Sequence, residues 1–322
     1  MPRTQYTYDA EQAQRVLSRL VHQYSYKPTA VISRRDREGM NALTFGVELE
    51  AQMKPAEYNA AVVASCAQAI TDVAGRDRVY LKRDGSVCYG FEIVSHPATL
   101  ASHMYDAHWS GIVNKCKKHG FISHDAKRYG GSCGLHIHVG RAQLGRNDNE
   151  RIDNIRKIKV LVYRHWDAMV KFSRRDADQL GNWASRELRA NFLNALASAE
   201  DDTELAELAD TIRVSNSHSG RYIAVNCEND ATIEFRLFNG TLVRDTLMAA
   251  LQLVNSICQY AMRHSLREVL ESSFLDVAMY ARFNELDTYL VARGLAHESD
   301  VAVRAQNTQR NPRHNGYDGL EA

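Results

Sequence analysis

Three stretches of this chain set charged side chains at every second position and apolar ones between them. They are FGVELE at 45–50, GLHIHVG at 134–140 and TIEFRLF at 232–238. Successive strand residues point to opposite faces, and residues two apart lie on one face about 7 Å from each other. Read as strands, these segments put Glu48 with Glu50, His136 with His138, and Glu234 with Arg236. Val47 and Leu49, Leu135, Ile137 and Val139, and Ile233, Phe235 and Leu237 take the opposite faces. One sheet face then packs a core and the other is polar, which favours a mostly antiparallel sheet. A solvated outer face is the ordinary explanation of such alternation. Outer faces, however, commonly carry Thr, Lys, Ser and Gln, whereas carboxylates and imidazoles are the side chains that bind divalent cations.

The surrounding sequence supplies the rest of an α+β pattern. Residues 9–24 carry apolar side chains at helical spacing after a capping Asp9, and the polar stretch 33–41 separates this appended helix from the main domain. LTFGVELEAQM (43–53) leads into a helix at 57–74, and 78–97 reads as two strands around the turn Asp84-Gly85-Ser86, closed by Pro97. A helix over about 101–119 precedes the strand candidates FISHDA and CGLHIHVG, with the RYGGS loop between them. A long helical region spans about 150–213, and strands return at 221–242 as a hairpin around Glu228-Asn229-Asp230. Helices come next at 244–265 and 267–295. The expected organisation is an N-terminal helical extension (1–40), a catalytic domain (41–265) with a helical insertion at about 150–213, C-terminal helices (266–297) and a tail (298–322) too polar to offset its ordering entropy.

The 40 Lys and Arg of the 322 residues balance 39 Asp and Glu, so the net charge of +1 gives no general attraction to nucleic acid or to an anionic membrane. No run of 18 apolar residues and no apolar leader is present, so a cytoplasmic protein is expected. The six cysteines lie far apart without CxxC spacing, which fits reduced thiols. Cys133, beside the histidines, reads as a small buried filler, because no base partner marks it as a nucleophile.

Glu92 in GFEIVSHP is a further acid flanked by apolar residues. If the four strands are neighbours, their acids converge and repel one another strongly unless cations are present. Oxygen-rich ligation suits Mg²⁺ or Mn²⁺, whereas zinc prefers more His or Cys. Arg236 among the acids points to a phosphate bound to the metal, and so to a nucleoside triphosphate.

The ordered set FGVELE, DGS with FEIVSHP, GGSCGLHIHVG, and RYIAVN with TIEFRLFNGTL resembles the amidoligases, members of the glutamine synthetase-like carboxylate-amine ligases, over about residues 43–245. The resemblance implies a curved, mostly antiparallel sheet with flanking helices, whose concave face holds ATP and two or more Mg²⁺ or Mn²⁺ ions. It implies metal ligation by Glu48, Glu50, Glu92, His136 and Glu234, with His136 as the first His of the H-x-H motif. His96 stands between Ser95 and Pro97 where the family's motif runs directly from Ser to Pro. His138 and Asn226 are implied at the nucleotide or substrate, Arg236 at the transferred phosphate, and Arg221 at phosphate or a substrate carboxylate.

The implied reaction joins a small-molecule or peptide carboxylate to an amine through an acyl phosphate. Asp84 is either the base that deprotonates the amine or a plain turn residue. Arg174, Arg175 and Arg186 in the helical region are open to the same choice between a carboxylate contact and an ordinary helix face. Two other enzyme readings stay open: a zinc hydrolase built on the H-x-H motif, and a phosphotransferase acting on an amine or guanidino group. So does a nucleotide-binding protein without turnover. The two substrates and the oligomeric state do not follow from the sequence.

Overall fold

The computed structural model describes residues 8–32, 42–123, 128, 133–215 and 220–303. The polar stretch 33–41, most of the RYGGS loop and the tail from 304 onward lie outside the described residues. The fold is mixed α/β, with a large, mostly antiparallel sheet and flanking helices. Its strands are β1 (Val21–His22), β2 (Thr44–Met53), β3 (Val79–Lys82), β4 (Gly90–Ser95), β5 (Ala98–Thr99), β6 (Phe121–Ile122), β7 (Gly134–Gly140), β8 (Val225–Asn226) and β9 (Thr232–Asn239). The chain divides into two compact units, one of residues 1–38, 46–136 and 239–247, the other of 39–45, 137–238 and 248–322.

In the first unit the hydrogen-bonded order is β1-β3-β4-β2-β7, with β6 also on β2. β1 runs parallel to β3, while β3 with β4, β4 with β2, and β6 with β2 are antiparallel. Register is fixed by the apolar face: Val47, Leu49, Ala51, Val79, Leu81, Phe91 and Ile93 are each at most 3% exposed. A slip of one residue would turn this whole set outward. Full burial of each large apolar side chain contributes roughly 1.5–3 kcal/mol.

Gly90 lets β4 begin against β2, since a Cβ there would lie 2.0 Å from the Ala51 carbonyl oxygen. The helix Ala10–Leu20 starts on an Asp9–Gln12 capping box. It packs on the helix Ala60–Ala74, which Asn59 caps and which in turn packs on Trp109–Lys118. The single helix expected at 101–119 is two, Leu100–Tyr105 and Trp109–Lys118. His108, at φ 54°, holds the left-handed turn that separates them.

In the second unit the end of β7, then β9 and β8, continue an antiparallel pattern, with Val225 opposite Phe235 and Asn226 opposite Glu234. The stretch read as helical at 150–213 holds five helices: Asp148–Arg164, Trp166–Ser173, Ala177–Trp183, Ala190–Ala197 and Asp202–Asp210. Asp148–Arg164 buries Ile155, Ile158, Leu161 and Val162 and packs on Ala190–Ala197 and Leu266–Glu271. Among the described residues no helix is long and apolar enough to cross a membrane.

Candidate functional site

The first unit gathers its site residues by strand register. Glu50 lies opposite Glu92 across β2 and β4, and Glu92 lies opposite Lys82 across β4 and β3. In the next row Glu48 faces Val94, which faces Tyr80. Side chains directly opposite in such pairs have Cβ atoms about 4.5–5.5 Å apart, so two carboxylates and a lysine occupy one strip of one face. From β7, His136 places Nδ1 at 3.5 Å from Glu48 Oε2.

Glu48, Glu92 and His136 each offer a ligand atom, and these atoms all lie within 4.8 Å of one another. Lys82 Nζ stands 3.5 Å from Glu92 Oε2. Glu50 lies outside this group of three, and Gly134 N–H donates to its Oε2 at 2.6 Å. Ser123 Oγ–H donates to the Glu50 carbonyl at 2.8 Å, which fixes the strand beneath it.

The electrostatics match a site built for a cation. Burial, followed by the charge of Glu48, pushes the Glu92 carboxyl up to about 9, and Lys82 only partly opposes this. Burial and the same two glutamates raise the Tyr80 phenol as well. A cation bound at this carboxyl would have to displace its proton. The donor set, two carboxylates and one imidazole, fits Mg²⁺ or Mn²⁺ better than a zinc site rich in His and Cys.

Asp84 occupies an Asx turn in which Ser86 N–H donates to its Oδ1 at 2.7 Å. Its charge still reaches Glu92, contributing to the raised affinity of that carboxyl for its proton.

The second unit holds its own polar set on β7, β8 and β9. Glu234, 6% exposed, accepts from Asn226 Nδ2 at 2.9 Å and from Arg236 Nη1. Asn226 Oδ1 accepts from Glu228 N–H at 2.9 Å, which sets the amide's orientation. His138 Nε2 lies 3.9 Å from Glu234 Oε1, and its Nδ1 lies 3.2 Å from Thr232 Oγ1. Arg236 Nε is buried and has no hydrogen-bond partner among the described residues, so the guanidinium keeps donor capacity in reserve. Arg221 lies with its Cζ 5.0 Å from the centre of the Tyr222 ring.

Several neighbours escaped sequence reasoning. Lys82 was open to detection, since alternation along VYLK puts Tyr80 and Lys82 on one face, but only the pairing with β4 shows that the face is the acidic one. Arg141, just past β7, donates to four carbonyls, those of Val214, Cys227, Asn229 and Thr232, and so ties down the β8–β9 hairpin that carries Asn226 and Glu234. Arg175 and Arg186 spend donors on backbone carbonyls: Arg175 on Phe238, Arg186 on Tyr163 and Leu188. Arg174 sits in the left-handed region at φ 63° and ends the helix Trp166–Ser173.

Carboxylates and an imidazole close enough to share a cation in the first unit, and an arginine, an asparagine and a buried carboxylate on strands of the second, make up two polar sheet faces. A family described as "Putative amidoligase enzyme" matches residues 72–258, more than half of the 322. The chain belongs to that family. The match takes in Glu92, His136, His138, Asn226, Glu234 and Arg236, and begins beyond Glu48 and Glu50. No curated protein matches the sequence.

Among solved structures, a bifunctional glutathione synthetase from Pasteurella multocida is similar at a TM-score of 0.39 and 12% identity, over 88% of this chain and 49% of that one. This chain thus spans about half the length of that protein, and a likeness at that score decides neither fold nor chemistry.

Proposed function

We propose that the protein is an ATP-dependent carboxylate-amine ligase with a glutamine synthetase-like sheet, acting on small-molecule or peptide acids and amines. A carboxylate is a poor electrophile because its leaving group would be oxide. Transfer of the γ-phosphoryl group makes an acyl phosphate, and the amine then displaces inorganic phosphate with formation of the amide C–N bond. Bound Mg²⁺ or Mn²⁺ would neutralise charge on the phosphates.

In this reading Glu48, Glu92 and His136 hold one ion, and Glu50 stands beside them as a further carboxylate. Glu234 is a ligand as well and orients Arg236. Arg236, with Arg221, stabilises charge developing on the transferred group, and His138 and Asn226 contact nucleotide or substrate. Asp84 takes the proton from the attacking ammonium.

The observation that carries the reading is the trio of half-buried Glu48 with buried Glu92 and His136, whose Glu92 carboxyl is pushed up to about 9, in a chain of the amidoligase family. The test supplies Mg²⁺, ATP, a panel of acids and hydroxylamine as the amine, and measures ADP together with hydroxamate. Glu48→Gln and Glu234→Gln are expected to lose turnover by orders of magnitude. Undiminished turnover in both variants would refute the metal assignment. Ester or amide hydrolysis without nucleotide would point instead to a hydrolase, and a stable phosphorylated amine to a phosphotransferase.

A further inference from the structure

The chain leaves the helix Ala177–Trp183 and meets the sheet segment before β8 through a parallel bridge of Ser185 with Ile223. Ser185 N–H donates to the Tyr222 carbonyl at 2.9 Å and Ala224 N–H donates to the Ser185 carbonyl at 3.0 Å. Ser185 Oγ–H adds a second bond to the Tyr222 carbonyl at 3.1 Å. This fastening sets Trp183 edge-on to Tyr222, with ring centres 5.5 Å apart at 80°.

Two guanidinium groups adjoin the same tyrosine. Arg221 Nη2 donates to the Tyr222 hydroxyl at 2.9 Å, and the Arg236 Cζ lies 5.7 Å from the ring centre. Tyr222 remains 38% exposed, so the aromatic corner is open to solvent beside Arg221 and beside the ion pair of Arg236 with Glu234. A large aromatic pair held in place by backbone hydrogen bonds, bordered by arginines and left open, has the make-up of a subsite for an anion with an apolar body.

We propose that Tyr222 and Trp183 form the wall that receives the carbon skeleton of the acid substrate, which makes them specificity-determining for acids with an alkyl or aryl body. The inference rests on the ligase reading, in which Arg236 holds the transferred phosphoryl group. The acid's oxygen must attack that phosphorus, so its carbons begin a bond or two from the phosphate on Arg236, beside the Tyr222 ring. The nucleobase is separated from the same phosphorus by the triphosphate chain and the ribose, which takes it away from the ring. The amine arrives as a cation and is repelled by Arg221 and Arg236. Of the three reactants, the acid alone has both the charge and the position that this corner requires.

The experiment measures hydroxamate and ADP formation from ATP, Mg²⁺ and hydroxylamine with acetate, hexanoate and phenylacetate as acids. In the wild type kcat/KM rises from acetate to hexanoate and phenylacetate. Tyr222→Leu and Trp183→Ala each lose roughly tenfold or more of that preference, the scale of a lost apolar contact in a specificity pocket. KM for ATP does not change in either variant, which also shows that the variants are folded. Independently of turnover, phenylacetate quenches tryptophan emission in the wild type and far less in Trp183→Phe.

Two results overturn the inference while leaving the ligase reading intact. One is ADP formation with an unchanged acid preference in both variants, and the other is a raised KM for ATP with the acid KM unmoved. Absence of ADP with every acid, together with no change of emission, overturns the ligase reading and the inference with it.

Discussion

Removing the ionisable carboxyl of Glu92 separates the two parts of the metal hypothesis, ligation and protonation. With its affinity for a proton raised to about 9, Glu92 is almost wholly protonated at a pH of about 7.5. A cation that ligates it must expel close to one proton, and this costs roughly 2 kcal/mol at that pH, about 1.36 kcal/mol for each unit between the pH and the pKa. Apparent affinity for Mn²⁺ should therefore rise about tenfold between pH 7 and pH 8, and stand about sixteenfold higher near pH 9, where half of the carboxyl is ionised, than near 7.5.

Isothermal titration with MnCl₂ in HEPES and in Tris, whose ionisation enthalpies differ, gives the number of protons released directly. The expected result is nearly one proton for the wild type and none for Glu92→Gln, which binds Mn²⁺ weakly and without the pH slope. A wild-type affinity that is flat with pH, with equal heats in the two buffers, would refute the reasoning. The metal-free protein carries the matching stability signature. The folded state keeps the Glu92 proton after the unfolded state has lost it near 4.5, so stability falls as pH rises from there toward 9, and Glu92→Gln removes that fall.

Arg236→Lys keeps the charge near Glu234 but not the planar fork of donors, and kcat should fall on the order of 10²–10³-fold with little change in thermal midpoint. Arg141→Ala takes a donor from four carbonyls and should cost about 2–4 kcal/mol in urea unfolding, with hydrogen exchange rising first in β8 and β9. His165 is held by burial at about 4 against an ordinary 6.5, so its contribution is complete above 6.5 and is lost as pH falls toward 4. Urea midpoints in that window should drop by the equivalent of up to about 3 kcal/mol in the wild type and by much less in His165→Gln.

The polar face was legible because strand alternation has a period of two and demands no knowledge of partners. Glu48, His136, Glu234 and Arg236 could all be assigned to polar sides from that alone. Partner choice was not legible. Nothing local in LTFGVELEAQM states that Glu50 will face Glu92, or that the Gly134 N–H will take one of its oxygens, because both depend on which strand arrives beside β2.

The breaks within the helical stretch were not legible for a related reason. Its apolar periodicity persists across Trp166, Ala177 and Ala190, while the breaks between helices are made by single residues such as Arg174 in a left-handed conformation. The bridge at Ser185 is a tertiary contact with no signature in its own segment.

That bridge has a consequence for how such a protein diverges. The charges proposed to act on phosphate belong to β9, whereas one of the two aromatic rings beside them belongs to a helical segment attached there by a few backbone hydrogen bonds. Backbone bonds of this kind are indifferent to side-chain identity. Substitutions at 183 can accumulate and redraw substrate preference while the strand chemistry stays under purifying selection. Paralogues should therefore differ at this corner before they differ anywhere on the acidic face.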